Sequence, residues 1–127
     1  MFVDIGTLIY ILGGFFLNCN AFFSTIEMLG DQEQVNYWNH QVLNGKVLGG
    51  YGQTEIGHGS DVKSLETTAI YNEEKECWVV TSPKASSSKF WVGVLGHFAT
   101  HLVIQARAIV KGKFIGIQTF VIEVRDR

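Results

Sequence analysis

The residues best placed to do chemistry lie in one stretch, Tyr51-Gly-Gln-Thr-Glu-Ile-Gly-His-Gly-Ser-Asp61, followed by Leu65-Glu-Thr-Thr-Ala69. Gly57 and Gly59 bracket His58 just after a β-like run, and Gln53 and Thr54 sit where that run ends. Glycine has no Cβ, so such a turn lets the backbone approach a planar or phosphate-bearing ligand. Ser60 adds a hydroxyl at the end of the turn. Taken alone the turn is a weak signal. Thr54 in isolation reads as a polar cap on a strand end, and His58 as a turn-stabilising hydrogen-bonder with no carboxylate at triad spacing.

Further along, Phe90-Trp91 offers aromatic surface ahead of Gly93, which by itself reads as a strand bulge. His97 and His101 are four apart, a spacing that suits a metal pair on a helix. They open a β-like run instead, where positions four apart share a face but sit far from each other, and no third ligand is evident. No metal site is expected. Glu27, Glu55 and Glu66 are the carboxylates that could be put forward as a base. Cys19 and Cys77 have neither CxxC nor zinc spacing and read as reduced, packing cysteines of an intracellular protein.

The elements that must position these groups change character along the chain. Gly30 reads as a helix stop, and Asp31 with Gln34 makes a capping-box pattern. Val35, Trp38, Val42 and Leu43 then recur at near-helical spacing, which predicts a short amphipathic helix to about Asn44. Beyond Gly45 the period becomes that of strands. Val47–Gln53, Thr67–Tyr71, Cys77–Thr81, His101–Val110 and Phe114–Val124 read as strands, with a charged turn at 72–76 and a tight turn at Lys111-Gly112-Lys113. The expected fold is α+β: helices over residues 1–45, packed on an antiparallel, β-barrel-like domain over 46–127.

Composition bounds the rest. A chain of 127 residues is one domain at most. It is 46% hydrophobic and only 17% charged, which points to surface covered by something else. A net charge of −2 gives no electrostatic case for a nucleic-acid partner. Ile5–Ile26 carries no charged residue and is long enough for a membrane span. It lacks the basic flank of a signal peptide, and Gly13-Gly14, Asn18 and Asn20 weaken a lipid-facing helix. Burial against protein, in a homo-oligomer or by another chain, is therefore expected ahead of a membrane.

The stretch from Tyr51 to Ser60 and Leu65–Ala69 resembles the signature of the acyl-CoA oxidases, which reads roughly Tyr-Ala-Gln-Thr-Glu-Leu-Gly-His-Gly-Thr, then Leu-Glu-Thr-Thr-Ala. The resemblance continues through Ser82-Pro83, Lys89-Phe-Trp91, Gly93 and Leu95-Gly96 and covers most of the chain, as the end of the helical N-terminal domain and the middle β-domain. It implies FAD as cofactor and a fatty acyl-CoA as substrate, whose α,β bond is desaturated in β-oxidation while oxygen becomes hydrogen peroxide. It assigns flavin contact to Thr54 and Gly93; beside them, Gln53 could assist and Trp91 offers aromatic surface for the flavin ring, and the turn at Gly59 ending in the Ser60 hydroxyl could contact the phosphate-bearing part of coenzyme A. Where the family has Pro-Gly-Gly after the tryptophan, this chain has Val92-Gly93-Val94.

The family's base is a glutamate of a later helical domain, to which no residue here corresponds. The chain is thus expected to be a fragment or split subunit, inactive alone, with no catalytic residue of its own. A catalytically silent structural subunit of a larger, membrane-associated or mitochondrial assembly is the alternative. The family default is the peroxisome, although Arg125-Asp-Arg127 is no Ser-Lys-Leu signal.

Overall fold

The computed structural model describes residues 18–125. They divide into two compact units: residues 18–51, 93–103 and 122–125 form the first, and residues 52–92 and 104–121 the second.

In the first unit a π-helical turn, Asn18–Phe23, runs on into helix α1, Ser24–Leu29. That helix stops at Gly30, whose N–H closes on the Ile26 carbonyl at 2.8 Å. Helix α2, Gln32–Leu43, begins as the sequence predicts. Asp31 Oδ1 accepts from the Gln34 N–H at 2.8 Å, and Gln34 Oε1 accepts from the Asp31 N–H at 3.1 Å. This reciprocal cap satisfies donors that the first helical turn leaves without partners. Asn44 and Gly45, the latter at φ +66°, end the helix.

The core of this unit is aromatic. Phe22 is fully buried, meets Trp38 edge-on at 5.8 Å, and Trp38 in turn meets the His101 ring at 5.4 Å. Gly49 is bare because Phe22 lies over it: a Cβ there would come within 2.0 Å of the ring. Ile26, Val47, Ala99, Leu102 and Val103 complete the buried set. Of the apolar segment Ile5–Ile26, Phe22 and Ile26 are thus buried in their own unit, while residues 5–17 lie outside the described residues. Among the described residues no helix is long and apolar enough to cross a membrane.

Strand residues occur in both units. Strand β1 is Gly49–Gly52, β2 Thr68–Asn72, β3 Cys77–Thr81, β4 His101–Val110 and β5 Lys113–Glu123. β2 and β3 form an antiparallel hairpin in the register Thr68↔Thr81 to Asn72↔Cys77. Asn72 Oδ1 caps its turn by accepting from the Lys75 N–H at 2.9 Å. Between β4 and β5, Lys111 at φ +52° and Gly112 at φ +74° supply the pair of positive φ angles that a tight type I′ hairpin needs.

The α+β class is as expected, with one correction. β2 pairs with β4 in parallel, Thr68↔Arg107 to Ile70↔Ile109, so the sheet is mixed rather than antiparallel throughout. Its order is β1-β4-β2-β3 with β5 also on β4, an open sheet rather than a closed barrel. The cause is the connection: residues 82–100 carry the chain from β3 to β4 without a hairpin, and a crossover of that length brings the next strand in with either sense.

Candidate functional site

The motif's turn lies in the second unit and is held from below by a buried ion pair. Glu55, predicted as part of the motif, is 1% exposed. Its carboxylate accepts from the Glu66 N–H at 2.7 Å, the Thr67 N–H at 2.9 Å, the Thr67 hydroxyl at 2.5 Å and Lys89 Nζ at 3.1 Å. Burial pushes this carboxyl up, but the Thr67 hydroxyl, the two backbone N–H groups and Lys89 together outweigh it and hold it below its ordinary value. Burial also draws the Lys89 ammonium down, and the Glu55 charge opposes that shift. A buried charge is tolerated only where such partners are in place.

The backbone above the pair is tied at every step. Glu55 and His58 exchange N–H···O bonds at 3.0 and 3.1 Å across the turn. Ile56 donates to Ser88 O at 3.0 Å, Gly57 to Ser86 O at 2.8 Å, and Phe90 to Thr54 O at 3.0 Å. Gly57 is tightly packed here: a Cβ would stand 3.0 Å from the Ser86 Cβ. Gly59 differs, since a Cβ there would meet nothing within 4 Å. Of the two glycines read as leaving room for a ligand, only Gly59 faces open space. Ser60 is exposed beside it, and Gln53 and Thr54 are half-buried.

Glu66 forms a second, outer anion. It accepts from Lys84 Nζ at 2.7 Å and from the Ser86 hydroxyl, with His58 Nε2 at 3.6 Å. Lys84 and Ser86 hold its carboxyl down at about 2. Glu55, His58 and Glu66 bring ligand-type atoms within 4.8 Å of one another, yet Lys89 and Lys84 already supply the cations for both carboxylates. Neither glutamate is poised as a base: a general base works best with a pKa near the operating pH, and both of these are held the other way.

Trp91, also in the second unit, is 87% exposed, next to exposed Phe90. Its backbone stands at φ +57°. Gly93 lies in the first unit. It begins a turn, Gly93–Phe98, in which the Val94 carbonyl accepts from His97, Phe98 and Ala99 at 3.3, 2.9 and 3.0 Å. Val94 stands at φ +64°. A β-branched residue there is a true outlier, because its branched Cβ crowds the backbone in the left-handed region. His97 is exposed in this turn, and the His101 ring packs on Trp38. The two histidines therefore serve turn and core.

The ties that Lys89 and Thr67 make to Glu55 are what residue-by-residue reading misses. Lys89 belongs to the quoted Lys-Phe-Trp run, but nothing local shows that its partner is Glu55, which pairs with it as an isolated antiparallel bridge.

No protein-family profile matches the chain. Individual proteins do. Acyl-coenzyme A oxidase 2 of Yarrowia lipolytica is 41% identical over 107 residues, 83% of this chain. The structure of Arabidopsis thaliana acyl-CoA oxidase 1 superposes with a TM-score of 0.86 at 37% identity over 92% of the chain. Acyl-CoA oxidase-1 of Caenorhabditis elegans, solved in complex with FAD and ATP, gives 0.83 at 34% identity over 87%. The chain spans only 15% to 17% of the length of these proteins.

Proposed function

We propose, for a chain homologous to one segment of the acyl-CoA oxidases, that it supplies part of the flavin- and substrate-facing core of an FAD-dependent fatty acyl-CoA oxidase. In this reading residues 1–45 are the end of the N-terminal helical domain and 46–127 the middle β-domain. One observation carries the proposal: a match at 41% identity extends over 107 residues, 83% of the chain.

The residues present fit that cofactor at one edge. Gln53 and Thr54 form a half-exposed strand end whose backbone is fixed, so a hydroxyl donor is held still with little further ordering cost. Trp91 offers an exposed ring face for an aromatic system. Gly59 and Ser60 leave open backbone and a hydroxyl for the coenzyme A portion of the substrate. FAD, when bound, supplies the hydride acceptor, and the reaction passes electrons to oxygen. The protein's part at this edge is to orient and to exclude water. The α-proton needs a base, and neither Glu55 nor Glu66 is free to serve, since they are committed to Lys89 and Lys84. The peroxisome is the compartment that goes with this reading.

A second reading has its own observation. At the other proposed flavin position, Val94 replaces a bare backbone with a branched side chain at positive φ. A chain that has given up flavin and kept the fold as a structural subunit would carry such a change. The flavin absorbance band of the purified protein separates the two. The first reading expects FAD to be retained or to rebind on addition, with no peroxide made from a fatty acyl-CoA by the chain alone. Failure to take up FAD at any concentration would favour the structural subunit.

A further inference from the structure

Thr54 is held in place by something other than its own strand. Lys89 Nζ donates to Gln53 O at 3.1 Å, to Glu55 Oε1 at 3.1 Å and to Gln105 O at 2.7 Å. An ammonium has three N–H donors, and here all three are used. The lysine side chain is 12% exposed and that of Glu55 not at all. The next residue, Phe90, donates its backbone N–H to Thr54 O at 3.0 Å. The backbone carbonyls before and after the Thr54 Cα are therefore tied to residues 89 and 90, and the residue after Thr54 is the lysine's counter-ion.

We infer that Lys89 is a positioning residue, whose ammonium sets where the Thr54 hydroxyl stands by fixing the Gln53–Thr54 backbone against Glu55 and the Gln105 carbonyl. The geometry explains why lysine and not arginine occupies the place. A compact ammonium can direct three bonds to a pyramid of acceptors, whereas a planar guanidinium presents its donors as a fork. It also explains Glu55, which neutralises the ammonium while its other bonds tie the turn to Glu66 and Thr67. Removing the lysine would leave two half-buried carbonyls and one buried carboxylate short of a donor, and the edge would relax towards other partners. The consequence for cofactor binding rests on the proposed role of Thr54. The consequence for the backbone does not.

The test uses the full chain and three variants, Lys89→Met, Lys89→Arg and Trp78→Ala. Trp78 packs on Tyr71 and Phe120 in the same unit, away from the Gln53–Thr54 edge, and serves as the stability-matched control. Two quantities are read: amide hydrogen exchange at Phe90 and Glu55, and the dissociation constant for added FAD from flavin fluorescence. Lys89→Met is expected to speed exchange at both amides by at least tenfold and to weaken FAD binding by about tenfold. Lys89→Arg should do the same to a smaller degree, and decides the matter if Lys89→Met does not fold. Trp78→Ala should leave both readings within twofold. Exchange at Phe90 and Glu55 unchanged in the lysine variants, or raised as much in Trp78→Ala, would overturn the inference. If the parent chain takes up no FAD, the proposed function fails, and the exchange measurement still decides the role of Lys89.

Discussion

Thr54, just ahead of the turn at Glu55–His58, and Gly93, at the head of the turn Gly93–Phe98, are assigned the same task by resemblance, and the two turns are built in opposite ways. The first is over-determined. A buried ion pair, a threonine hydroxyl and cross-strand backbone bonds fix it, and its tight glycine is explained by Ser86. The second holds one β-branched residue in the left-handed region, with a single carbonyl collecting three N–H groups. Polar networks in which every member is satisfied make a rigid site, and backbone strain persists only where surroundings impose it. The comparison teaches that this chain fixes its backbone firmly beside Thr54 and holds it strained beside Gly93.

The hardest blow to the first turn is removal of its anion. Glu55→Ala leaves the Lys89 ammonium buried without a counter-ion, and breaking such a pair costs about 3–5 kcal/mol. Urea unfolding should show a loss of that size; a loss below about 1 kcal/mol would mean the pair is not the support described. In the unit that holds the second turn, Gly49→Ala forces a methyl into the Phe22 ring. Overpacking of this kind costs about 1–3 kcal/mol, read as a lowered urea midpoint.

The second turn should respond to relief rather than to loss. Val94→Gly sheds a half-buried isopropyl group but releases left-handed strain of roughly 1–2 kcal/mol. It is expected to stay within about 1 kcal/mol of the parent chain in the same assay. It is also expected to bind FAD several-fold more tightly, since it restores the bare backbone of the family pattern. A loss above about 2 kcal/mol would show that Val94 packs better than its backbone angle suggests. At the surface, the exposed Lys111–Glu73 pair at 3.1 Å gives the smallest effect. Exposed pairs of this kind contribute about 0–1 kcal/mol, so Glu73→Ala should be nearly silent in thermal unfolding.

Acid separates the inner and outer anions from the rest. Glu66 has a folded pKa of about 2 against an ordinary 4.5, and Glu55 is shifted in the same direction. A carboxyl with a lowered folded pKa stabilises the fold above its unfolded value, and that contribution fades as the pH falls through the folded one. Stability from the Glu66 cluster should thus be full above about pH 4.5 and lost towards pH 2. Glu66→Gln should flatten the acid limb of a stability-against-pH curve over that window.

What the sequence shows by itself is local. The Asp31–Gln34 cap, the strand His101–Val110 and the turn at Lys111-Gly112 are set by neighbours within a few residues, and the structure has them as read. The parallel pairing of β2 with β4 could not be read that way, because side-chain alternation is the same for either strand sense. Nor could the bond between Glu55 and Lys89, which are 34 residues apart. Glu55 looks like a candidate base on composition and becomes a structural anion only once Thr67 and Lys89 are seen around it. The lack of room at Gly57 likewise depends on Ser86, which the motif does not include.

The central claim is that Thr54 presents its hydroxyl to a flavin. Titrating FAD into the parent chain and into Thr54→Val, with binding followed by the flavin absorbance change, tests it most directly. The account predicts saturable binding to the parent chain and an affinity about tenfold weaker in the variant, the size expected for one lost hydrogen bond of about 1.4 kcal/mol. Saturable binding that Thr54→Val leaves unchanged, or no saturable binding at all, would contradict it.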